Sequence, residues 1–413
     1  MAIIRPFCAL RPVPQRASAI ASLPYDVVST NEARTMVQDN PYSFLYIDRP
    51  EINFSEPIDP YAPEVYQAAY SKLQQMISSG NFISDNQECL YVYRQIMQGR
   101  VQTGLVCCTS VDDYLRGIIK KHEHTRPDKE LDRTRHIAAV KAHTGPILQT
   151  YKDQPHITEL ITHWVESHTP IYQFQAFGVE QICWRIDDYT TIIELQALFA
   201  EVPSLYIADG HHRSAAAIRT ALTERQKNPN FSGNEAYNYF LSVIFPASEL
   251  QILPYNRVVR DIAGLSPQAF LAAVEQYFDV QPAPAQPYQP EAKHLFGMYL
   301  EQQWYQLRIK KELVPDDPVQ SLDVSLLQNY LLSPILHIAD PRTDERIEFI
   351  GGNRGLAELK QRVGTNIGVA FSLYPTSIND VMQVADVGLI MPPKSTWFEP
   401  KLLSGLFIHQ IER

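Results

Sequence analysis

The stretch LYIADGHHRSAAAIRTAL, residues 205–222, joins an apolar strand pattern directly to an alanine-rich helix pattern. The junction carries Asp209, Gly210, His211, His212 and Arg213. Glycine allows a sharp reversal of the chain and a close approach of a ligand to the backbone. Asp209 is a favourable N-cap because its carboxylate can accept hydrogen bonds from amides of the first helical turn. The pattern therefore predicts a strand–turn–helix unit, with the alanines packing the helix closely on its sheet.

The first turn of this predicted helix is a candidate anion site. Its amides lack intrahelical acceptors and lie at the positive end of the helix dipole, which favours a negatively charged ligand. Arg213 adds a planar, bidentate donor that suits phosphate, and His211 and His212 add donors whose charge changes near neutral pH. A purely structural role, with Asp209 as a cap and the histidines in polar corners, is the alternative. We expect the turn to bind phosphate.

The sequence IADGHHR, placed after a strand and before a helix of small residues, resembles the phosphate-binding turn of the ParB/sulfiredoxin superfamily. That superfamily includes nucleotide-binding segregation proteins and free-serine kinases. The resemblance spans about twenty residues and implies a nucleotide ligand, ATP or ADP with Mg²⁺. It also implies a ParB/sulfiredoxin-like strand–turn–helix within the fold.

A second resemblance extends over nearly the whole chain. A set of sequence blocks, in this order, resembles the conserved, uncharacterised domain-of-unknown-function family 1015: LPYDV at 23–27, NPYSF at 40–44, IIKKHEHT at 118–125, DRTR at 132–135, ADGHHR at 208–213, LPYNRVV at 253–259 and MPPKSTWFEPKLLSG at 391–405. This family has no established activity. Its link to serine biosynthesis implies serine or phosphoserine as the metabolite.

Composition narrows the class of protein. A net charge of -10 argues against general nucleic-acid binding, although it leaves room for a small basic pocket. No apolar run approaches the length of a membrane span, and Arg5, Pro6, Arg11 and Pro12 interrupt any signal-peptide core. The five cysteines form no C-x-x-C pair, so we expect buried free thiols and a cytoplasmic protein. The sequence does not predict an oligomeric state.

Strand and helix patterns alternate irregularly along the chain. Residues 89–96 and 101–111 predict one hairpin, and 296–300 and 304–310 predict another. Helices are predicted at 63–80, 129–145 and 157–168. Hairpins mixed with helices predict an α+β fold with mixed sheets and packed helices. We predict a main domain at 1–280, a Pro-rich linker or loop at 281–292, and a second segment at 293–413 that packs back on the site.

The stretch IIKKHEHTRPDKELDRTR, residues 118–135, holds further candidates. If 118–125 is extended, His122 and His124 share one face, and with Asp26 they are candidate metal ligands. Glu123 is a candidate general base toward a hydroxyl group, and a solvated charged strand end is the alternative. In the DRTR block we expect Arg133 to face the site and Asp132 to pair with it.

The stretch MPPKSTWFEPK, residues 391–401, contains Lys394, Ser395 and Thr396. Two prolines precede the lysine and the upstream G-x-x-x-x-G spacing is missing, so this is not a P-loop. Lys394 remains a candidate point charge for phosphate, with Ser395 and Thr396 beside it and Lys401 as a second charge. An ordered loop packed on the core is the alternative.

Three functions are compatible with these residues. The first is a nucleotide-dependent kinase of a small hydroxylated metabolite, possibly serine. There the turn and Lys394 bind phosphates, and Glu123, Asp209 and His212 take catalytic roles. The second is a metal-assisted phosphatase of a metabolite such as phosphoserine. The third is a regulatory protein that binds nucleotide without turnover.

Overall fold

The computed structural model describes residues 1–364 and 368–412. The chain forms two compact units: Met1–Leu250 with Pro400–Arg413, and Gln251–Glu399. The Pro-rich segment 281–292 falls within the second unit, where it begins in the last residues of one strand and leads to the next. Residues 400–413 are part of the first unit. The boundaries between the units therefore lie at 250/251 and 399/400, outside the Pro-rich segment 281–292.

The strands of the described residues run in chain order as follows: β1 (Ile4–Arg5), β2 (Leu10–Pro12), β3 (Phe82–Ser84), β4 (Leu90–Met97), β5 (Arg100–Ser110), β6 (Ile119–Lys120), β7 (Ala142–His143), β8 (Ile147–Tyr151), β9 (Tyr172–Ala176), β10 (Val179–Ile186), β11 (Leu205–Asp209), β12 (Tyr239–Pro246), β13 (Gln251–Leu253), β14 (Tyr255–Val259), β15 (Phe278–Pro282), β16 (Leu295–Leu300), β17 (Gln303–Ile309), β18 (Ile347–Gly351), β19 (Val369–Leu373), β20 (Trp397–Glu399) and β21 (His409–Gln410).

The helices are α1 (Ala17–Ile20), α2 (Thr30–Val37), α3 (Leu45–Asp48), α4 (Pro63–Ser78), α5 (Val111–Leu115), α6 (Pro127–Val140), α7 (Pro155–Ser167), α8 (Tyr189–Ala200), α9 (His211–Lys227), α10 (Pro267–Val274), α11 (Asp323–Leu327), α12 (Gly355–Val363) and α13 (Ile378–Asp386). The combination of these helices with several sheets confirms the predicted α+β class. None of the helices described here is long and apolar enough to cross a membrane.

The first unit is built on a mixed sheet in the order β6-β11-β8-β12-β5-β4-β10-β9, with β1 on β5. The pairs β11–β6 and β12–β8 are parallel, and the other neighbours are antiparallel. Strands β4 and β5 form the predicted hairpin, in which Tyr93 lies opposite Gly104. One face of the sheet buries an apolar core that includes Leu205 and Ile207 of β11, so the strand before the candidate turn is held firmly.

Small residues set the position of α9. Ala217 is 2% exposed and belongs to the core beneath the sheet, whereas Ala216 is fully buried against Ile137 of α6. The alanine-rich helix therefore packs on the sheet core through Ala217 and on α6 through Ala216. Helix α6 ends at Val140 rather than near Gly145, because Lys141 takes the left-handed conformation and the chain then enters β7. The helix prediction was wrong by one turn at that end.

The second unit has its own sheet, in the order β15-β17-β16-β19-β14-β18. Strands β16 and β17 form the second predicted hairpin, in which Tyr299 lies opposite Trp304. The short strands β13 and β20 pair separately. Apolar residues of this sheet and of its helices form a core of their own, which includes Phe296, Phe371 and Val381.

Candidate functional site

The candidate turn begins where β11 ends. The pairing of β11 with β8 shifts between Ile207 and Asp209, which marks an irregularity at the end of the strand. Gly210 then has φ 99°, in the left-handed region that favours glycine, and α9 starts at His211. The N-cap residue is Gly210, and no cap side chain among the described residues bonds the first turn of α9. The prediction that Asp209 caps the helix was wrong.

Asp209 is engaged elsewhere, which explains why it does not cap α9. Its Oδ2 accepts a hydrogen bond of 3.1 Å from Nζ of Lys401, whose side chain is 12% exposed. Burial alone would raise the pKa of Asp209, but Lys401 and Arg213 outweigh it and hold that pKa well below its usual range. The carboxylate is thus ionised and stabilises the cationic groups around it.

Arg213 folds back over the turn. A Cβ atom added to Gly210 would lie 3.2 Å from Cζ, Nε and Nη2 of Arg213, so the guanidinium covers this glycine. Its Nη1 donates to the carbonyl of Pro146. Its Nε is buried and has no hydrogen-bond partner within the part of the chain that the structure describes. Burial would lower the pKa of Arg213, but Asp26 and Asp209 raise it, so the group stays charged.

His211 lies between two residues of the HEHT segment. Its Nε2 accepts a hydrogen bond of 3.4 Å from the amide of His122, and its Nδ1 lies 3.9 Å from Oε2 of Glu123. The His122 and His211 rings meet edge to face, with centroids 4.5 Å apart. Both imidazoles are buried, whereas the Glu123 side chain is 44% exposed. Burial, and then the neighbouring His122, hold the pKa of His211 well below its usual value.

His212 holds the start of α6. Its Nε2 accepts a hydrogen bond of 3.0 Å from the amide of Arg126, directly before Pro127 opens that helix. Burial lowers the pKa of His212, and the exposed Asp26 acts in the opposite direction. His212 is therefore a neutral acceptor that ties the HEHT segment to α9.

A small cavity of about 30 Å³ lies behind the turn, where both Arg133 and Arg213 contribute to its lining. That volume holds roughly one water molecule. Arg133 pairs with Asp132 at 2.8 Å, as the sequence suggested, and its guanidinium lies 4.0 Å above the ring of Tyr25. The DRTR and DGHHR blocks therefore meet at one small cavity in the first unit.

The other predicted residues are placed as follows. His124 is exposed while His122 is buried, and β6 ends at Lys120, so the two histidines do not share one strand face. The structure instead groups His122, Glu123 and His211, with one ligand atom from each within 4.8 Å of the others. Asp26 is exposed and acts electrostatically on Arg213 and His212, although it is not part of that group.

Lys394, Ser395 and Thr396 belong to the second unit. Lys394 is exposed at φ 59°, with its Nζ 5.5 Å from the centre of the Tyr255 ring. The Ser395 hydroxyl donates to the Pro392 carbonyl at 2.6 Å, which is the ordered loop that the sequence left as an alternative. Their predicted contacts to phosphate stay a prediction.

Several residues near the turn carried no signal in the sequence. The carbonyl of Pro146 accepts from Arg213, and a Cβ on Gly145 would lie 3.1 Å from the Ser404 hydroxyl and 3.7 Å from Nη1 of Arg213. Asp48 accepts a hydrogen bond of 2.8 Å from Thr144 and lines the cavity. These residues lie far from the turn in sequence.

The chain was compared with curated proteins, with solved structures and with models of protein families. No curated protein matches the chain. Among solved structures, a mutant free serine kinase in complex with ADP shares 13% identity, covering 73% of this chain and 90% of that one at a TM-score of 0.35. A conserved hypothetical protein from Pyrococcus furiosus shares 12%, covering 75% and 97% at a TM-score of 0.35. SbnI from Staphylococcus aureus, truncated at its C-terminus, shares 12%, covering 72% and 85% at 0.36.

These likenesses are too distant to carry any argument about the residues of this chain. The family match is different in kind, since it rests on the sequence and extends over most of the chain, including the HEHT, DRTR and DGHHR blocks. The model of that family covers residues 4–325, and the chain therefore belongs to the family described as "Protein of unknown function (DUF1015)".

Proposed function

We propose that the protein is a nucleotide-dependent phosphotransferase that acts on a small hydroxylated metabolite, and that the phosphates bind at the start of α9. One observation carries the proposal. Arg213 lies over Gly210 at an uncapped helix start, and its buried Nε has no hydrogen-bond partner among the residues described. A buried donor without a partner is costly, and a phosphate oxygen is the acceptor that a guanidinium at a helix N-terminus suits best.

The neighbouring side chains fit this role. Asp209 stays ionised beside Lys401 and Arg213. Its carboxylate therefore positions two cations that can stabilise the negative charge of a phosphate group. His211 and His212 hold the HEHT segment against the helix start. Fixed charges of this kind lower the barrier because charge spreads over the transferring group.

Glu123 is the proposed acceptor of the substrate proton. Its carboxylate is part-exposed and lies 3.9 Å from His211, so a small substrate can reach it from solvent. The substrate oxygen forms a bond to the γ-phosphorus, and the bond from that phosphorus to the bridging oxygen breaks. The nucleoside diphosphate leaves, and the hydroxyl proton passes to Glu123.

Mg²⁺ prefers carboxylate oxygens, water and phosphate. The exposed Asp26, which acts electrostatically on Arg213, offers a carboxylate of that kind, and it would hold Mg²⁺ together with the phosphates. The ion supplies positive charge next to the transferring group. The pair of imidazoles near Glu123 suits Mg²⁺ poorly, so we assign it no Mg²⁺.

Calorimetry with ATP, ADP and CTP in the presence of Mg²⁺ tests the proposal. We expect one nucleotide to bind to the wild type. Arg213→Gln should weaken binding at least ~10-fold, because it removes hydrogen bonds from a charged donor. The matched control is Arg219→Gln, which removes the same charge from an exposed position on α9 and should leave affinity unchanged.

A turnover assay separates the related functions. With ATP as the donor, we expect the nucleoside diphosphate to appear only when a hydroxylated metabolite such as serine is present. Phosphate release from phosphoserine without nucleotide would point to the hydrolase instead, and bound nucleotide that stays intact with every metabolite would point to a regulatory protein. Failure of all three nucleotides to bind contradicts the proposal.

A further inference from the structure

The cluster of His122, Glu123 and His211 has a property that phosphate binding does not explain. Both ring nitrogens of His122 are buried, and neither has a hydrogen-bond partner in the described chain. The residue itself is 2% exposed. Buried polar groups are almost always satisfied, so an unpartnered imidazole points to a water or an ion.

The ligand atoms already converge. One atom from each of the three side chains lies within 4.8 Å of the other two, and Nδ1 of His211 is 3.9 Å from Oε2 of Glu123. Four-coordinate ligands at their usual bond length lie about 3.4 Å apart. The part-exposed Glu123 can close that difference by rotation of its side chain, and its exposure gives an ion a path from solvent.

The imidazole of His211 is held by two neighbours in the cluster. A neutral imidazole has a lone pair for a metal, and a second interaction commonly orients the ring of such a ligand. In this structure the amide of His122 donates to Nε2 of His211 at 3.4 Å, so the neutral ring carries its proton on Nδ1, which faces Glu123. Metal binding at Nδ1 therefore requires this long hydrogen bond to break and the proton to move to Nε2.

We propose that His122, Glu123 and His211 bind a divalent transition metal of the Zn²⁺ class. Two imidazoles and one carboxylate suit Zn²⁺, Co²⁺ or Fe²⁺, whereas Mg²⁺ prefers oxygen ligands alone. Three protein ligands leave a fourth position for water or a substrate oxygen. The site differs from the sequence prediction, because it replaces Asp26 and His124 with Glu123 and His211.

This inference does not depend on the proposed phosphotransfer, since it concerns a different set of ligands and can be tested without nucleotide. It is compatible with that proposal, because one oxygen of Glu123 can bind the metal while the other receives a proton. It also explains why two buried histidines meet beside an acid at the start of α9.

The full-length protein is first freed of metal and then titrated with Zn²⁺ alone in a calorimeter. The visible spectrum of the Co²⁺-loaded protein is recorded as a second measurement. We expect one equivalent of Zn²⁺ to bind and the Co²⁺ bands to indicate a four- or five-coordinate site. His122→Gln and Glu123→Gln should each weaken Zn²⁺ binding at least ~10-fold, since loss of a direct ligand costs at least as much as loss of a second-shell partner. Mg²⁺ should not compete.

His124→Gln is the matched control, since His124 is exposed and only two residues from His122. It should leave both the affinity and the Co²⁺ spectrum unchanged. Glu123 is part-exposed, so its variant is expected to fold even if the buried His122 variant does not. Zn²⁺ affinity that His122→Gln and Glu123→Gln leave intact, or that His124→Gln reduces equally, overturns the assignment, and so does the absence of Zn²⁺ binding.

Discussion

Two charged clusters in the first unit are built in opposite ways. In the first, which we call the Asp85 cluster, the carboxylate of Asp85 accepts two hydrogen bonds of 2.8 Å from Arg11, one of 2.6 Å from Tyr91 and one of 3.3 Å from Arg185. Arg11 also donates to Tyr172, whose hydroxyl donates to the carbonyl of Pro12. Each charged side chain in this cluster therefore has an oppositely charged partner.

The start of α9 lacks that completeness. Nε of Arg213 and both ring nitrogens of His122 are buried, and the residues described offer them no hydrogen-bond partner. The N-cap residue, Gly210, has no side chain that could accept a hydrogen bond from the first turn of the helix. A matched network stabilises the fold, whereas an unmatched one leaves donors and acceptors for a ligand. The comparison therefore contrasts a cluster whose hydrogen bonds are complete with the one at which we propose that a ligand binds.

The largest expected effect is the loss of the Asp85 carboxylate. The side chains of Arg11 and Asp85 are 7% and 3% exposed, so Asp85→Ala leaves a buried, unpaired cation. We expect the free energy of unfolding to fall by about 3–5 kcal/mol, measured by urea denaturation. The exposed Asp39→Ala should change it little. A stable Asp85→Ala protein would mean that this cluster does not support the fold.

Acid titration gives an independent check on the same cluster. Burial would raise the pKa of Asp85, but hydrogen bonds from Arg11 and Tyr91 lower it below the usual value. A carboxyl whose folded pKa is depressed contributes stability above its unfolded pKa, about 3.9, and loses it as pH falls through the folded pKa. Below about pH 4 the wild type should therefore lose stability that Asp85→Ala does not have to lose. Parallel curves would contradict this.

Nucleotide should stabilise the protein through α9 and not through the Asp85 cluster. At a concentration about 100 times Kd, a ligand that binds only the folded state adds about 2.7 kcal/mol. We expect this gain in the wild type and, unchanged in size, in Asp85→Ala, whereas Arg213→Gln should show little of it. Thermal unfolding with and without ATP and Mg²⁺ measures the gain. An equal gain in Arg213→Gln would place the ligand elsewhere.

A glycine pair sharpens the distinction between strain and binding. Gly210 and Gly117 both have positive φ, at 99° and 75°, but only at Gly210 would a Cβ press on Arg213. We expect Gly210→Ala and Gly117→Ala each to cost about 1–2 kcal/mol of stability through backbone strain. Only Gly210→Ala should also weaken nucleotide binding, because it displaces the guanidinium. Calorimetry on both variants checks this. Equal nucleotide affinities in the two variants would show that Arg213 does not contact the nucleotide.

The sequence predicts those features whose signals lie within about twenty residues. The strand–turn–helix of β11 and α9, and the hairpins β4–β5 and β16–β17, follow from local alternation and turn residues. The alanines of α9 indicate close packing because small side chains at helical spacing let two elements approach. Local rules also identified Arg213 as a charged residue at a helix start.

Long-range partners were not predictable in this way. Asp209 is a good N-cap by local rules, but Lys401, 192 residues later, holds its carboxylate. Arg11 and Asp85 are 74 residues apart, so no pattern joins them. The prolines of 281–292 indicate a loop, but they do not tell which strands pair on either side of it. In the structure β15 pairs with β17, which keeps the loop inside the second unit.

The smallest effect is expected where α9 is exposed. Nη1 of Arg219 lies 3.6 Å from Oε1 of Glu130, and the two side chains are 51% and 24% exposed. Water screens such a pair, so Arg219→Gln should change the free energy of unfolding by no more than about 0.5 kcal/mol. Urea denaturation at low and high salt measures it. A loss as large as that of Asp85→Ala would show that net charge on α9, rather than completeness of hydrogen bonding, separates the two clusters.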